Sequence, residues 1–94
     1  MSLGGNKPYE EVSLSNNTLL RTFFVDKDDS SFEWHRDDED RIVEVVEGKG
    51  WKFQRDNCLP EVLSPGDKIS ISKNEWHRII KGSENLVIKV KKCL

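Results

Sequence analysis

The feature that most constrains this chain is its punctuation. From Thr18 onward, apolar and β-branched residues come in short stretches, each soon broken by a polar or glycine-bearing turn. Residues 41–47 (R-I-V-E-V-V-E), 51–54 (W-K-F-Q), 68–72 (K-I-S-I-S) and 86–91 (L-V-I-K-V-K) carry the alternation of a half-buried strand. Residues 18–25, 32–35, 58–63 and 76–81 complete a set of about eight short strands. Gly48-Lys49-Gly50, Asp56-Asn57 and Gly82-Ser83-Glu84-Asn85 read as turns. Ser64-Pro65-Gly66-Asp67 suits a type II turn, with proline second and glycine third. Pro60 marks its strand as an edge or an irregular one. Strands spaced by roughly 8–12 residues predict an all-β sandwich or barrel.

Composition agrees with strands. The 94 residues include no alanine, while Val, Ile and Thr number 16, a balance that disfavours helices. Hydrophobic residues make up 35% of the chain, enough for one domain with a thin core. Residues 1–17 are expected to be a partly flexible N-terminal segment, its opening Met-Ser-Leu-Gly-Gly reading as a vector remnant. Residues 18–94 are expected to form the single domain. No apolar run approaches ~18 residues, and no signal-peptide core precedes the strands, so the expected location is cytoplasmic, away from membranes. A net charge of −2 argues against a dedicated nucleic-acid binder. Cys58 and Cys93 lack metal-type spacing and read as free thiols in a reducing compartment, a bridge staying open if their strands adjoin. Nucleophile-elbow, phosphate-loop and H-E-x-x-H patterns are all missing.

The small net charge conceals a concentration of acid. Residues 26–41 carry −5 and residues 81–94 carry +3. Most acidic runs are solvated loops, but this one encloses Trp34 and His35, one of only two histidines. The other, His77, lies in a second Trp-His-Arg, residues 76–78 echoing residues 34–36.

From about Phe32 to Lys91 the chain resembles a small single-domain cupin. That family carries two motifs, roughly G-x5-H-x-H-x3-4-E-x6-G and G-x5-P-x-G-x2-H-x3-N. Leu63-Ser64-Pro65-Gly66-Asp67 is similar to the L-x-P-G-D turn that opens the second. Ser72 then stands for its proline, Asn74 for its glycine, His77 for its histidine and Lys81 for its asparagine. Asn74, like glycine, tolerates positive φ. Val45-Val46-Glu47-Gly48-Lys49-Gly50 is similar to the strand end that closes the first motif. Counting back from Gly48 puts Arg41 at the glutamate position, Asp37 at the second histidine and His35 at the first. The resemblance implies a double-stranded β-helix, the jelly-roll barrel of the cupins.

It also implies a site. His35 and His77, from different strands, would converge at the barrel mouth and hold a mononuclear divalent metal (Fe, Mn, Ni or Zn) with Asp37, or with Glu39 or Asp40 as the alternative carboxylate. Arg41, Val43, Val45, Phe53, Ile69, Ile71 and Ile79 are expected to line a mostly apolar pocket, with Ile88 as a companion. Arg41 is a clamp for an anionic ligand or a partner for the neighbouring acids. Strand alternation turns Trp34 and Trp76 outward if the histidines face in, which suggests a homodimer interface. Three functions stay open. The first is a metal-dependent cupin acting on a small polar metabolite, with dioxygenase- or isomerase-like chemistry. The second is a metal-free module for an anionic or sugar-like ligand, and the third is an interaction domain using the tryptophans.

Overall fold

A computed structural model describes residues 9–26 and 32–93. The vector-remnant reading of the opening five residues, and Asp28 and Asp29 of the acidic run, lie outside that range. Among the described residues there are eight strands: β1 (Tyr9–Ser13), β2 (Thr18–Phe23), β3 (Asp40–Glu47), β4 (Lys52–Arg55), β5 (Glu61–Val62), β6 (Lys68–Ile71), β7 (His77–Ile80) and β8 (Leu86–Cys93). Every pairing is antiparallel, in a five-stranded sheet ordered β1-β2-β8-β3-β6 and a three-stranded sheet ordered β5-β4-β7.

Seven of the eight expected strands appear with ends shifted by a few residues. The eighth, residues 32–35, is reduced to one bridge, His35 opposite His77. The N-terminal segment supplies β1 in its place. Four of the five β1 residues are exposed, so no alternation betrays the strand in the sequence. Backbone pairing with β2 holds it, along with Arg21 Nε donating to Glu11 Oε1 at 2.8 Å.

The alternating residues meet in one core between the sheets. Val43 and Val45 of β3, Leu86, Ile88 and Val90 of β8, Phe23 of β2 and Phe53 of β4 are all buried. Trp51 joins them with no exposed surface, and its indole N–H donates to the carbonyl of Glu84. That bond satisfies the polar edge of a buried aromatic. Across the core, Phe32 meets Trp51 edge-on at 5.5 Å between ring centroids.

The turns form as the residue types demand. Gly66 has φ +95°, and the amide of Asp67 donates to the carbonyl of Ser64 at 3.0 Å, as a type II turn requires. Asn74 adopts φ +64°, the left-handed conformation that asparagine tolerates. Cys58 and Cys93 are exposed and unbridged. No helix among the described residues is long and apolar enough to cross a membrane.

Leu86, at the start of β8, is fully buried. Leu86→Ala is expected to cost about 2–5 kcal/mol, the usual range for a core leucine, and to lower the urea unfolding midpoint correspondingly.

Candidate metal centre

Two copies of one tetrapeptide build the site. Glu33-Trp34-His35-Arg36 and Glu75-Trp76-His77-Arg78 run antiparallel, joined by reciprocal backbone bonds. The His35 amide donates to the His77 carbonyl at 3.0 Å, and the His77 amide to the His35 carbonyl at 2.9 Å. Each copy's arginine lies over the other copy's tryptophan: Arg36 is 5.1 Å from the Trp76 ring centroid, and Arg78 is 5.0 Å from that of Trp34. Such cation–π pairs contribute roughly 0.5–1 kcal/mol each when exposed. Pairing at a bridge puts the two imidazoles on one face, with ring centroids 4.4 Å apart.

Both rings are oriented in the same way. His35 Nδ1 lies 3.1 Å from the carbonyl oxygen of Glu33, and His77 Nδ1 lies 2.8 Å from that of Glu75. A carbonyl only accepts, so each Nδ1 carries a proton, and in the neutral ring Nε2 then keeps its lone pair. This is the tautomer a metal ligand needs, fixed as metal-binding histidines usually are. His77 is buried and His35 exposed, so the pair spans from the interior to the surface. Burial lowers the pKa of His77 below its ordinary 6.5, its hydrogen bond to the Glu75 carbonyl opposing the effect only in part.

Asp37 completes the group. One ligand atom from each of His35, Asp37 and His77 falls within 4.8 Å of the others. Asp37 Oδ2 sits 3.3 Å from His77 Nε2 and, although buried, has no hydrogen-bond partner. With neutral His77, two lone pairs then face each other in the interior. An orphaned buried carboxylate oxygen is costly, and a divalent cation between these atoms would satisfy both. The residues therefore fit the ion that the sequence pattern implies. The other carboxylates are engaged elsewhere. Glu39 Oε2 accepts from Arg41 Nε at 2.7 Å, and Asp40 Oδ1 accepts from the Lys73 amide at 2.7 Å. The Arg41 hydrogen bond also lowers the pKa of Glu39.

Arg41 Nη1 lies 3.3 Å from Asp37 Oδ1, so this guanidinium is held by Asp37 and Glu39 together. At its back, the Glu75 carboxylate accepts from Arg55 at 2.8 Å and from the Ser72 amide at 3.0 Å. Those bonds tie the turn between β6 and β7 and set where His77 begins its strand.

The group opens onto a cavity of about 460 Å³ between the sheets, a size usual for small-molecule sites. Of the residues expected to line it, Arg41, Val43, Phe53, Ile69, Ile71 and Ile79 do so. Val45 is a correction: it is 1% exposed, packed into the core and not part of the lining. It pairs with Ile88 of β8, which does line the cavity, and Val45 itself is covered by its packing neighbours. Trp34 and Trp76 are 38% and 42% exposed, turned away from the buried His77 as alternation requires, although Trp34 also reaches the cavity rim. Sequence reasoning missed Arg21, Phe23, Phe32, Leu63 and Leu86 as lining residues. The usable signal was the shared face of Arg21 and Phe23, two apart on β2.

No family model matches the chain, and no curated protein sequence matches it. Solved structures do. A cupin domain from Bordetella pertussis Tohama I aligns over 95% of this chain and 97% of its own, with 11% identity and a TM-score of 0.65. The DMSP lyase DddQ from Ruegeria pomeroyi DSS-3 aligns over 98% of this chain with 13% identity and a TM-score of 0.71. FeII HppE aligns over 81%, with 12% identity and a TM-score of 0.65. The chain spans 50% of DddQ and 41% of HppE. The protein thus has the fold of the small cupins.

Because its folded pKa is depressed, His77 contributes stability that is full above about pH 6.5 and is lost as the pH falls through the lower folded value. Metal-free protein is expected to lose more stability between pH 7.5 and 5 than its His77→Asn variant, compared by urea unfolding at each pH. Asparagine keeps a donor for the Glu75 carbonyl and does not titrate, so equal losses would contradict the assignment.

Proposed function

We propose that the protein holds a mononuclear divalent metal at His35, Asp37 and His77 and uses that centre to bind a small molecule in the cavity between its sheets. The unpartnered Asp37 Oδ2 facing His77 Nε2 carries this reading. Two imidazoles and one carboxylate suit Fe, Mn, Ni or Zn and leave coordination positions open. Such an ion, when bound, supplies Lewis acidity toward a ligand oxygen. The chain's own residues do the rest. Glu33 and Glu75 fix the ring tautomers through their carbonyls, Arg41 orients the Asp37 carboxylate, and the apolar walls exclude water from the bound molecule. A dioxygenase- or isomerase-like reaction is the catalytic form of this proposal. The Arg41–Asp37 ion pair favours a metal-free binding module as the alternative, since it already partly neutralises the carboxylate.

We further infer that the two sheets are the halves of a double-stranded β-helix, and that Trp34 and Trp76 mark a homodimer face. With the Trp34→Ser and Trp76→Ser changes combined, light scattering should report the mass of a single chain in place of a dimer. An unchanged mass would remove the interface assignment.

Elemental analysis of protein purified without chelator should find about one divalent ion per chain, as one three-residue ligand set allows. His35→Ala and Asp37→Asn should each lower that content severalfold. The reading fails if the content is near zero and Mn, Fe, Ni and Zn all leave the melting temperature unchanged.

A further inference from the structure

The cavity constrains its occupant through where its charges are already spent. Among the described residues lining it, the guanidinium groups are those of Arg21 and Arg41. Arg41 is bound by Asp37 and Glu39. Arg21 is bound by Glu11 and lies over the Tyr9 ring, 4.3 Å from its centroid. Each thus has two of its three nitrogens committed to carboxylates, Arg21 Nε and Nη2 and Arg41 Nε and Nη1, which weakens its claim on a phosphate or a dicarboxylate. Apart from Tyr9, Glu33 and the metal-ligating group, the remaining lining residues are apolar. Phe53 packs beside His77 at 5.7 Å between centroids, and Ile71 stands opposite Arg41 on the neighbouring strand. Farther in, Phe23 and Phe32 lie 5.9 Å apart, with Leu86 beside them in register with Phe23.

The register orders these groups along the cavity. Arg41 pairs with Lys92 near one end of β8, and Phe23 pairs with Leu86 at the other. The metal-ligating cluster therefore lies toward the Arg41 end and the aromatic group toward the Phe23 end. A sugar or a polyol placed here would bury hydroxyls against carbon, a costly arrangement without partners. A flat hydrocarbon body would gain from the same walls.

Resting on the metal reading above, we propose that the ligand class is a compact acid with a two-oxygen chelating head and an aromatic-sized apolar body. The head, an α-hydroxy or α-keto carboxylate, takes the open positions at His35, Asp37 and His77. The body lies along Phe53, Ile71 and Ile79 toward Phe23. This excludes sugar phosphates and short polar acids as preferred ligands.

Calorimetric titration of the Zn-loaded protein with mandelate, lactate and glucose 6-phosphate tests the class, because mandelate and lactate share a head and differ in the body. Mandelate is expected to bind at least tenfold more tightly than lactate, and glucose 6-phosphate more weakly than either. Ile79→Phe, which fills the half-buried wall, should weaken mandelate at least tenfold while zinc content stays at the wild-type level. Lactate or glucose 6-phosphate binding as tightly as mandelate overturns the proposal, as does no binding of any of the three. Zinc content is measured on the same samples. Protein that takes up no zinc overturns the metal reading instead. The mandelate-to-lactate ratio in that metal-free protein then still decides the apolar body, a ratio near one overturning it.

Discussion

Two reciprocal backbone hydrogen bonds between His35 and His77 hold the site together. Among the described residues, the segment around His35 joins no other ladder, its one further backbone bond being from the Asn74 amide to the Asp37 carbonyl at 2.8 Å. Without the bridge the acidic run would be free to remain solvated, as most such runs are. With it, Asp37 is carried two residues farther along and its Oδ2 arrives 3.3 Å from His77 Nε2. The crossed Arg36–Trp76 and Arg78–Trp34 contacts brace the bridge on the outer face. One pairing thus sets the ring spacing, the carboxylate position and the exposure of both tryptophans.

Electrostatics then divides the acids around that bridge. Three carboxylates at 37, 39 and 40 compete for the same corner. Arg41 takes Glu39 strongly and Asp37 partly, while the Lys73 amide takes Asp40. What remains is a single oxygen with no partner, facing a neutral imidazole. Arg41 also offsets the repulsion between Asp37 and Glu39, since a guanidinium can serve two carboxylates at once.

The fold was largely legible in the residues. Alternation in 41–47, 68–72 and 86–91 gave β3, β6 and β8 with small errors at their ends, because a half-buried strand must put every second side chain inside. The turn glycines and Asn74 were legible because few residues adopt positive φ. β1 was not, since an exposed edge strand needs only backbone partners and leaves no pattern. The site was legible in part. His35, Asp37 and His77 emerged from the resemblance to the cupin motifs, which left the choice among Asp37, Glu39 and Asp40 open. Val45 was misplaced because alternation names a face and does not tell which residues on it are covered by their neighbours.

By itself the sequence determined an all-β domain with two sheet faces, its turn positions and the segments that carry the imidazoles. These are local properties, written in side-chain period and backbone φ. Only the tertiary structure decided that two copies of Glu-Trp-His-Arg would pair, that Arg41 would bind Glu39 more closely than Asp37, and that Arg21 from β2 would reach the same cavity. Those outcomes depend on which strands adjoin and in what register. Residues 42 positions apart, such as His35 and His77, become neighbours only when the chain pays the entropy of closing that loop. The gain that offsets this cost is spread over the whole core.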